Sequence, residues 1–99
     1  MIAETIKSLR ERTGITQTQL ANKLNITRSS VNAWEMGISA PSMQYIVELA
    51  NIFKVSTDYL LGVSNTYYID VKNLNEEQLK IIYSLLNYFS NEVKESDDI

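Results

Sequence analysis

Apolar residues recur through residues 2–61 in short blocks at helical spacing, separated by small polar residues, Gly or Pro. Ile2, Ile6 and Leu9 fall four and then three positions apart. That stripe predicts a first helix from Ile2 to about Arg12, with Gly14 as its stop. A second helix is predicted over Gln17–Leu24. Thr16 is its N-cap, Gln19 stands three residues on to complete a capping box, and Ile15 and Leu20 are placed to form a hydrophobic staple. A third helix repeats the device, with Thr27 as cap and Ile26 and Val31 as staple. Between the two lies Asn25, a residue that tolerates the left-handed conformation a tight corner demands. Ala21 is small enough for the second and third helices to approach closely.

The pattern continues after Gly37. Ile38-Ser39-Ala40 reads as a loop, and Pro41-Ser42 starts a fourth helix whose core stripe is Ile46, Leu49, Ala50 and Phe53. Ser56 caps a short fifth helix, Val55 and Leu60 staple it, and Gly62 ends it. Over residues 63–74 the helical spacing stops. Tyr67, Ile69 and Val71 alternate with Tyr68 and Asp70, a pattern open to a brief strand or an extended linker. The linker is favoured, because an isolated strand has no partner in this chain.

Helical spacing then resumes from about Glu76 to Glu95, with Asn75 as cap, Gln78 completing a box, and Leu74 and Leu79 as staple. Leu79, Ile82, Leu86, Phe89 and Val93 follow a heptad seam, and Ile81, Leu85 and Tyr88 form a second stripe beside it. A helix this apolar needs a partner surface, either its own five-helix unit or a second copy. The five-helix set already looks complete, which favours self-association. The expected division is therefore residues 1–62, a linker over 63–74, a dimerisation helix over 75–95, and a frayed acidic tail over 96–99.

Two capped helices joined by a short corner are the signature of a helix-turn-helix. The side chains expected on the outer face of the third helix give that motif its chemistry. Arg28, Ser29, Ser30, Asn32 and Ala33 lie there, while Val31 and Trp34 point inward, Trp34 as a core residue. Short polar and cationic groups in this place suit base edges and phosphates in a major groove.

Composition narrows the classes further. The 99-residue chain has no Cys and no His. That removes disulfides, thiol catalysis, the usual zinc sites and most general acid–base schemes. With no nucleophile–base pair, no ligand cluster and no phosphate-cradling glycine loop, an enzyme is not expected, nor is a metal or cofactor. No apolar run is long enough to span a bilayer, and the N-terminus lacks a signal-peptide pattern, so a cytoplasmic protein is expected. The net charge of −3 is unevenly spread. Residues 1–61 carry six cations against five anions, whereas residues 62–99 carry three against seven. The acidity belongs to the C-terminal part. A near-neutral first part implies modest affinity per subunit for a polyanion, since phosphate neutralisation supplies much of it.

The ordered set Thr16-Gln17-x-x-Leu20-Ala21, Thr27, Val31, Trp34-Glu35-x-Gly37, Pro41-Ser42, Leu49-Ala50 and Val55-Ser56-x-x-Tyr59-Leu60-Leu61 closely resembles the DNA-binding domain of the Cro and phage-repressor family. The resemblance covers roughly residues 3–62. It implies an all-α fold, a five-helix lambda-repressor-like DNA-binding domain followed here by a C-terminal helix. It also implies a repressor-type regulator that reads double-stranded DNA as a homodimer on a near-palindromic operator. Gln17 is expected to contact a phosphate and brace the third helix. Arg28 is the foremost base-reading group, Ser29 and Ala33 match positions that meet bases, and Asn32 meets a base or the backbone. Thr27, Ser30 and Ser39 are expected phosphate ligands. Arg10 and Glu35 match a buried structural ion pair. The loop before the fourth helix lacks the Lys or Arg that many family members have there, and Lys54 stands where the family often has Gly. The near-neutral first part, that uncharged loop and the acidic tail keep a second possibility open. On that view the chain is a protein-interaction module, such as an antitoxin or anti-repressor partner, binding another protein through its C-terminal helix.

Overall fold

The computed structural model describes residues 2–97, of which 92–97 are described by their backbone alone. It holds six α-helices: α1 (Ile2–Thr13), α2 (Gln17–Leu24), α3 (Arg28–Glu35), α4 (Met43–Phe53), α5 (Thr57–Leu61) and α6 (Glu76–Asp97). Among the described residues there is no strand, and residues 63–71 run without regular structure. The chain divides into two compact units, one ending at Ile69 and the other starting at Asp70.

Local chemistry sets the helix ends in the first unit. The Thr16 side chain accepts from the Gln19 amide at 3.0 Å while Gln19 Oε1 accepts from the Thr16 amide at 2.8 Å, a complete capping box. Asn25 closes α2 in the left-handed conformation (φ 59°, ψ 44°) and returns its N–H to the carbonyls of Ala21 and Asn22. Thr27 caps α3 through the Ser30 amide, and Ser56 caps α5 through the Tyr59 amide. Ser42 occupies the N-cap of α4 but makes no side-chain cap bond. Lys54 ends α4 at φ 61°, left-handed despite its Cβ. Helix α1 runs one residue past its expected end, to Thr13, whose hydroxyl bonds back to the Leu9 and Arg10 carbonyls.

The core gathers the staples and stripes. Ile6, Leu9, Leu20, Val31, Leu49 and Leu60 are almost fully buried, with Ala21, Leu24, Trp34, Ile46, Ala50, Phe53 and Val55 around them. Helix α1 touches α3, α4 and α5, and α2 packs closely on α3. Trp34 is a core side chain, 6% exposed, tilted against Tyr45 with centroids 5.6 Å apart. Burying a side chain of this size stabilises the fold by roughly 2–3 kcal/mol.

The first unit extends beyond Gly62, where the sequence pattern placed a linker. Val63 and Ser64 both donate to the Asp58 carbonyl, at 2.9 and 3.3 Å. Tyr67 packs against the core and meets Tyr59 edge-on, with centroids 4.9 Å apart. The Arg12 guanidinium lies 5.2 Å from the Tyr67 ring centre. Tyr67 reaches Arg12 because the chain turns back over α5.

In the second unit, Asn75 and Gln78 form a reciprocal box, with bonds of 3.0 and 2.9 Å, at the start of α6. Ile81, Tyr83, Leu85, Leu86, Tyr88 and Phe89 are each at least half exposed along this helix. The helix continues to Asp97, so Ser96 and Asp97 are helical where a frayed tail was expected. Asp98, Ile99 and the side chain of Val93 lie outside the described residues.

Candidate nucleic-acid interface

Helix α3 is held by one polar network. Arg10 Nε donates to Glu35 Oε2 at 2.6 Å and Arg10 Nη2 to Glu35 Oε1 at 3.1 Å, a two-pronged contact from α1 to the end of α3. The Arg10 and Glu35 side chains are 12% and 3% exposed. The remaining Arg10 fork, Nη1, donates to the Ile15 carbonyl at 2.9 Å and so pins the turn before α2. Burial by itself would push the Glu35 carboxyl up. Hydrogen bonds from Arg10 and Gln17, with the charges of Arg10 and Lys7, outweigh it and hold that carboxyl below its ordinary value. The bond to Glu35 likewise keeps the Arg10 guanidinium above its ordinary range.

Gln17 ties the first turn of α2 to the same network. Its Nε2 donates to Glu35 Oε1 at 3.0 Å and to Asn32 Oδ1 at 3.2 Å. An amide nitrogen has two N–H groups, and both are engaged. What remains outward on Gln17 is an acceptor, Oε1, which cannot bond a phosphate oxygen. The Gln17 side chain bridges from α2 to α3. The Asn32 carbonyl oxygen is shared with Gln17, which leaves its amide hydrogens free for a ligand. Thr27 Oγ1 and Ser30 Oγ lie 3.0 Å apart in a mutual hydrogen bond, so one hydroxyl proton of the two is used internally.

Arg28 and Ser29, by contrast, are exposed at the first turn of α3 with no hydrogen-bonding or ionic partner among the described residues. Ala33 is half-buried and presents only a methyl group. Ser39 is exposed in the loop after α3, its N–H bonded to the Ala33 carbonyl at 3.3 Å. An open groove of about 490 Å³ runs beside Arg28, lined by Arg10, Gly14, Ile15, Thr16, Gln17 and Thr18 among others. It brings together the start of α2 and Arg28, two positive features from different helices, with the exposed Glu11 carboxylate on the same wall. Asn32's tie to Gln17 was not foreseen from the sequence. The two are fifteen residues apart, and only the packing of α2 on α3 makes them neighbours.

Two packed helices, the second offering an unpaired Arg and short hydroxyl groups and braced from behind by a buried ion pair, define a DNA-reading helix-turn-helix module. The chain belongs to the helix-turn-helix family, whose model (HTH_3) matches residues 6–60. The whole has the five-helix lambda-repressor-like fold with an added C-terminal helix. It is 41% identical over 66 residues to the uncharacterized HTH-type transcriptional regulator YqaE of Bacillus subtilis, which covers 66% of this chain and 57% of that protein. The present chain thus spans little more than half of that relative's length. It is 31% identical over 98 residues to the HTH-type transcriptional regulator ImmR of the same organism, covering 99% of this chain and 72% of that one. Among solved structures, a transcriptional regulator from Listeria innocua superposes with a TM-score of 0.62 at 25% identity, covering 92% and 94% of the two chains. These are DNA-binding regulators and not enzymes. No helix among the described residues is long and apolar enough to cross a membrane.

Proposed function

We propose that this chain is a sequence-specific repressor that binds double-stranded DNA in the cytoplasm, as a homodimer on a near-palindromic operator. The observation that carries the reading is the state of α3. Its base-side groups Arg28 and Ser29 are unpartnered, while Arg10, Gln17 and Glu35 engage its inner polar groups. Arg28 then reads guanine O6 and N7, and Ser29 a base edge or phosphate. Ala33 meets a thymine methyl. The free donors of Asn32 reach a base or the backbone, and Thr27, Ser30 and Ser39 bond phosphates. Residues 1–69 form the DNA-reading part, and α6 pairs two copies through Leu79, Ile82, Leu86, Phe89 and Val93. Pairing sets two α3 helices about 34 Å apart, one turn of DNA. Repression follows by occupation of the site. Two half-site contacts from a near-neutral domain gain the avidity that one lacks.

Selection from a random duplex library at low salt, read by sequencing, tests this. Enrichment of a paired, near-palindromic site is the expected result; no enrichment by folded protein sinks it. The exposed apolar length of α6 also supports a second reading, in which this helix takes a different protein as partner and DNA binding is secondary. A stable homodimer in solution favours the first reading, and a chain that becomes ordered only with a partner favours the second.

A further inference from the structure

The strongest feature outside the DNA-reading surface is the ring cluster at the end of the first unit. Residues 63–69 contain no helix, yet they are fastened at two points. Near their start, the Val63 and Ser64 amides converge on the Asp58 carbonyl, and the Thr66 amide donates to Ser64 Oγ at 3.1 Å. Farther on, the half-buried Tyr67 ring stands perpendicular to Tyr59 from α5, and its face receives the Arg12 guanidinium from the last turn of α1. Arg12 is exposed; besides Tyr67 it interacts with Tyr59 and makes a long contact, 3.4 Å, to Ser8 Oγ. The last turn of α1, distant in sequence, thus meets α5 and the segment that follows it on one ring.

We propose that Tyr67 is a positioning residue. With Arg12 and Tyr59 it clasps residues 65–69 onto the DNA-reading unit, and so sets the half-site spacing the dimer accepts. The physical argument is tether length. Without the clasp, Val63 and Ser64 stay on the Asp58 carbonyl and α6 is joined to the head by residues 65–74. With it, the tether begins at Tyr68 and ends at Leu74. Ten residues reach at most about 36 Å, and seven at most about 25 Å. The Lys72 amide donates to Asp70 Oδ1 at 3.0 Å and the Leu74 amide to the Val71 carbonyl at 3.1 Å, so a turn shortens the tether further. A short tether restricts the separations at which both heads of a dimer can engage DNA, and it raises the effective concentration of the second head. The proposal rests on the homodimer reading above and adds the residue that makes its spacing narrow.

The test uses the full chain and a duplex library in which two copies of the selected half-site are separated by spacers of varied length. The wild type should prefer a narrow range of spacers. Tyr67→Ala should keep the half-site sequence but broaden the spacer profile toward longer separations. Its binding at the original optimum should fall by about 1.7-fold, the loss expected when a flexible tether grows from seven residues to ten. Tyr67→Phe keeps the ring and should keep the profile. Arg12→Gln removes the cation without touching the core, so it covers the case in which Tyr67→Ala unfolds, and should broaden the profile in part. Backbone ¹⁵N relaxation of residues 65–69 gives a readout independent of DNA: they should be as ordered as α5 in the wild type and mobile in Tyr67→Ala. An unchanged, sharp profile in folded Tyr67→Ala overturns the clasp and leaves the dimer reading standing. Uniformly weaker binding of Arg12→Gln at every spacer, with the profile unchanged, makes Arg12 a phosphate ligand and also overturns it. A wild type that enriches single half-sites only overturns both.

Discussion

At the scale of single residues, α3 carries a side chain locked in a network at its end, Glu35, and unpartnered side chains at its first turn, Arg28 and Ser29. Arg28 has no internal partner, so its removal should change recognition and leave the fold intact. Arg28→Ala is expected to cost about 1–3 kcal/mol per half-site and to relax selectivity at one base pair. Competition titrations against single-base operator variants measure this; an equal loss for every sequence would make Arg28 a phosphate ligand. Glu35 is the locked side chain. Its carboxyl is held below the ordinary value near 4.5 in the folded state, so its charged form contributes stability that is fully present above that range. The contribution declines as pH falls through the folded-state value. Urea midpoints measured from pH 6 to pH 3 should therefore fall, and part of that fall should vanish in Glu35→Gln. An identical pH dependence in both proteins would show that Glu35 is not the titrating group. Arg10→Met removes the cation and leaves a nearly buried carboxylate without its partner, a loss of about 3 kcal/mol.

At the scale of elements, helix ends follow local rules with one exception. Asn25 and Gly62 adopt positive φ where their side chains permit it. Lys54 adopts it at the end of α4 because Val55 must turn straight back into the core, where it is 9% exposed, with its amide on the Ala50 carbonyl at 3.0 Å. The strain of a Cβ in that conformation costs about 1 kcal/mol. Lys54→Gly should raise the unfolding free energy by about that amount without changing the denaturant slope, as chemical denaturation would show. The starts of α2, α3 and α5 and the ends of α1, α2 and α5 were legible in the sequence to within a residue, since caps, staples and left-handed stops act between residues close along the chain. The segment after Gly62 was not legible. Its alternation of Tyr67, Ile69 and Val71 fits a strand or a linker equally well. Tyr67's fate depends on Tyr59 and Arg12, the latter 55 positions earlier, and no periodicity encodes such a meeting.

At the scale of the whole molecule, charge and apolar surface divide between the two units. The head carries the DNA-reading groups on a near-neutral body, and α6 carries exposed Ile81, Leu85, Leu86, Tyr88 and Phe89. Pairing through the heptad seam would cover the Leu86 side of that surface, and a charge placed there should prevent it. Leu86→Glu is expected to convert a dimer to a monomer while far-ultraviolet circular dichroism still reports a helical protein, with operator affinity falling as avidity is lost. Light scattering after gel filtration reads the mass. A mass that stays dimeric would place the seam elsewhere on the chain.

The sequence by itself determined the helices and the face of α3 that meets solvent. Each follows from spacings of three or four residues and from capping groups beside the bonds they satisfy. Only the tertiary structure decided what the polar side chains are free to do. Gln17 was legible as a contact residue, but the packing of α2 on α3 engages both its donors with Asn32 and Glu35 and leaves Arg28 and Ser29 unpartnered. Tyr67 was legible as a tether residue, but the close approach of α1 and α5 makes it part of the head. Hydrogen bonds and ring contacts need atoms within a few ångströms, and the folding of distant segments supplies that proximity.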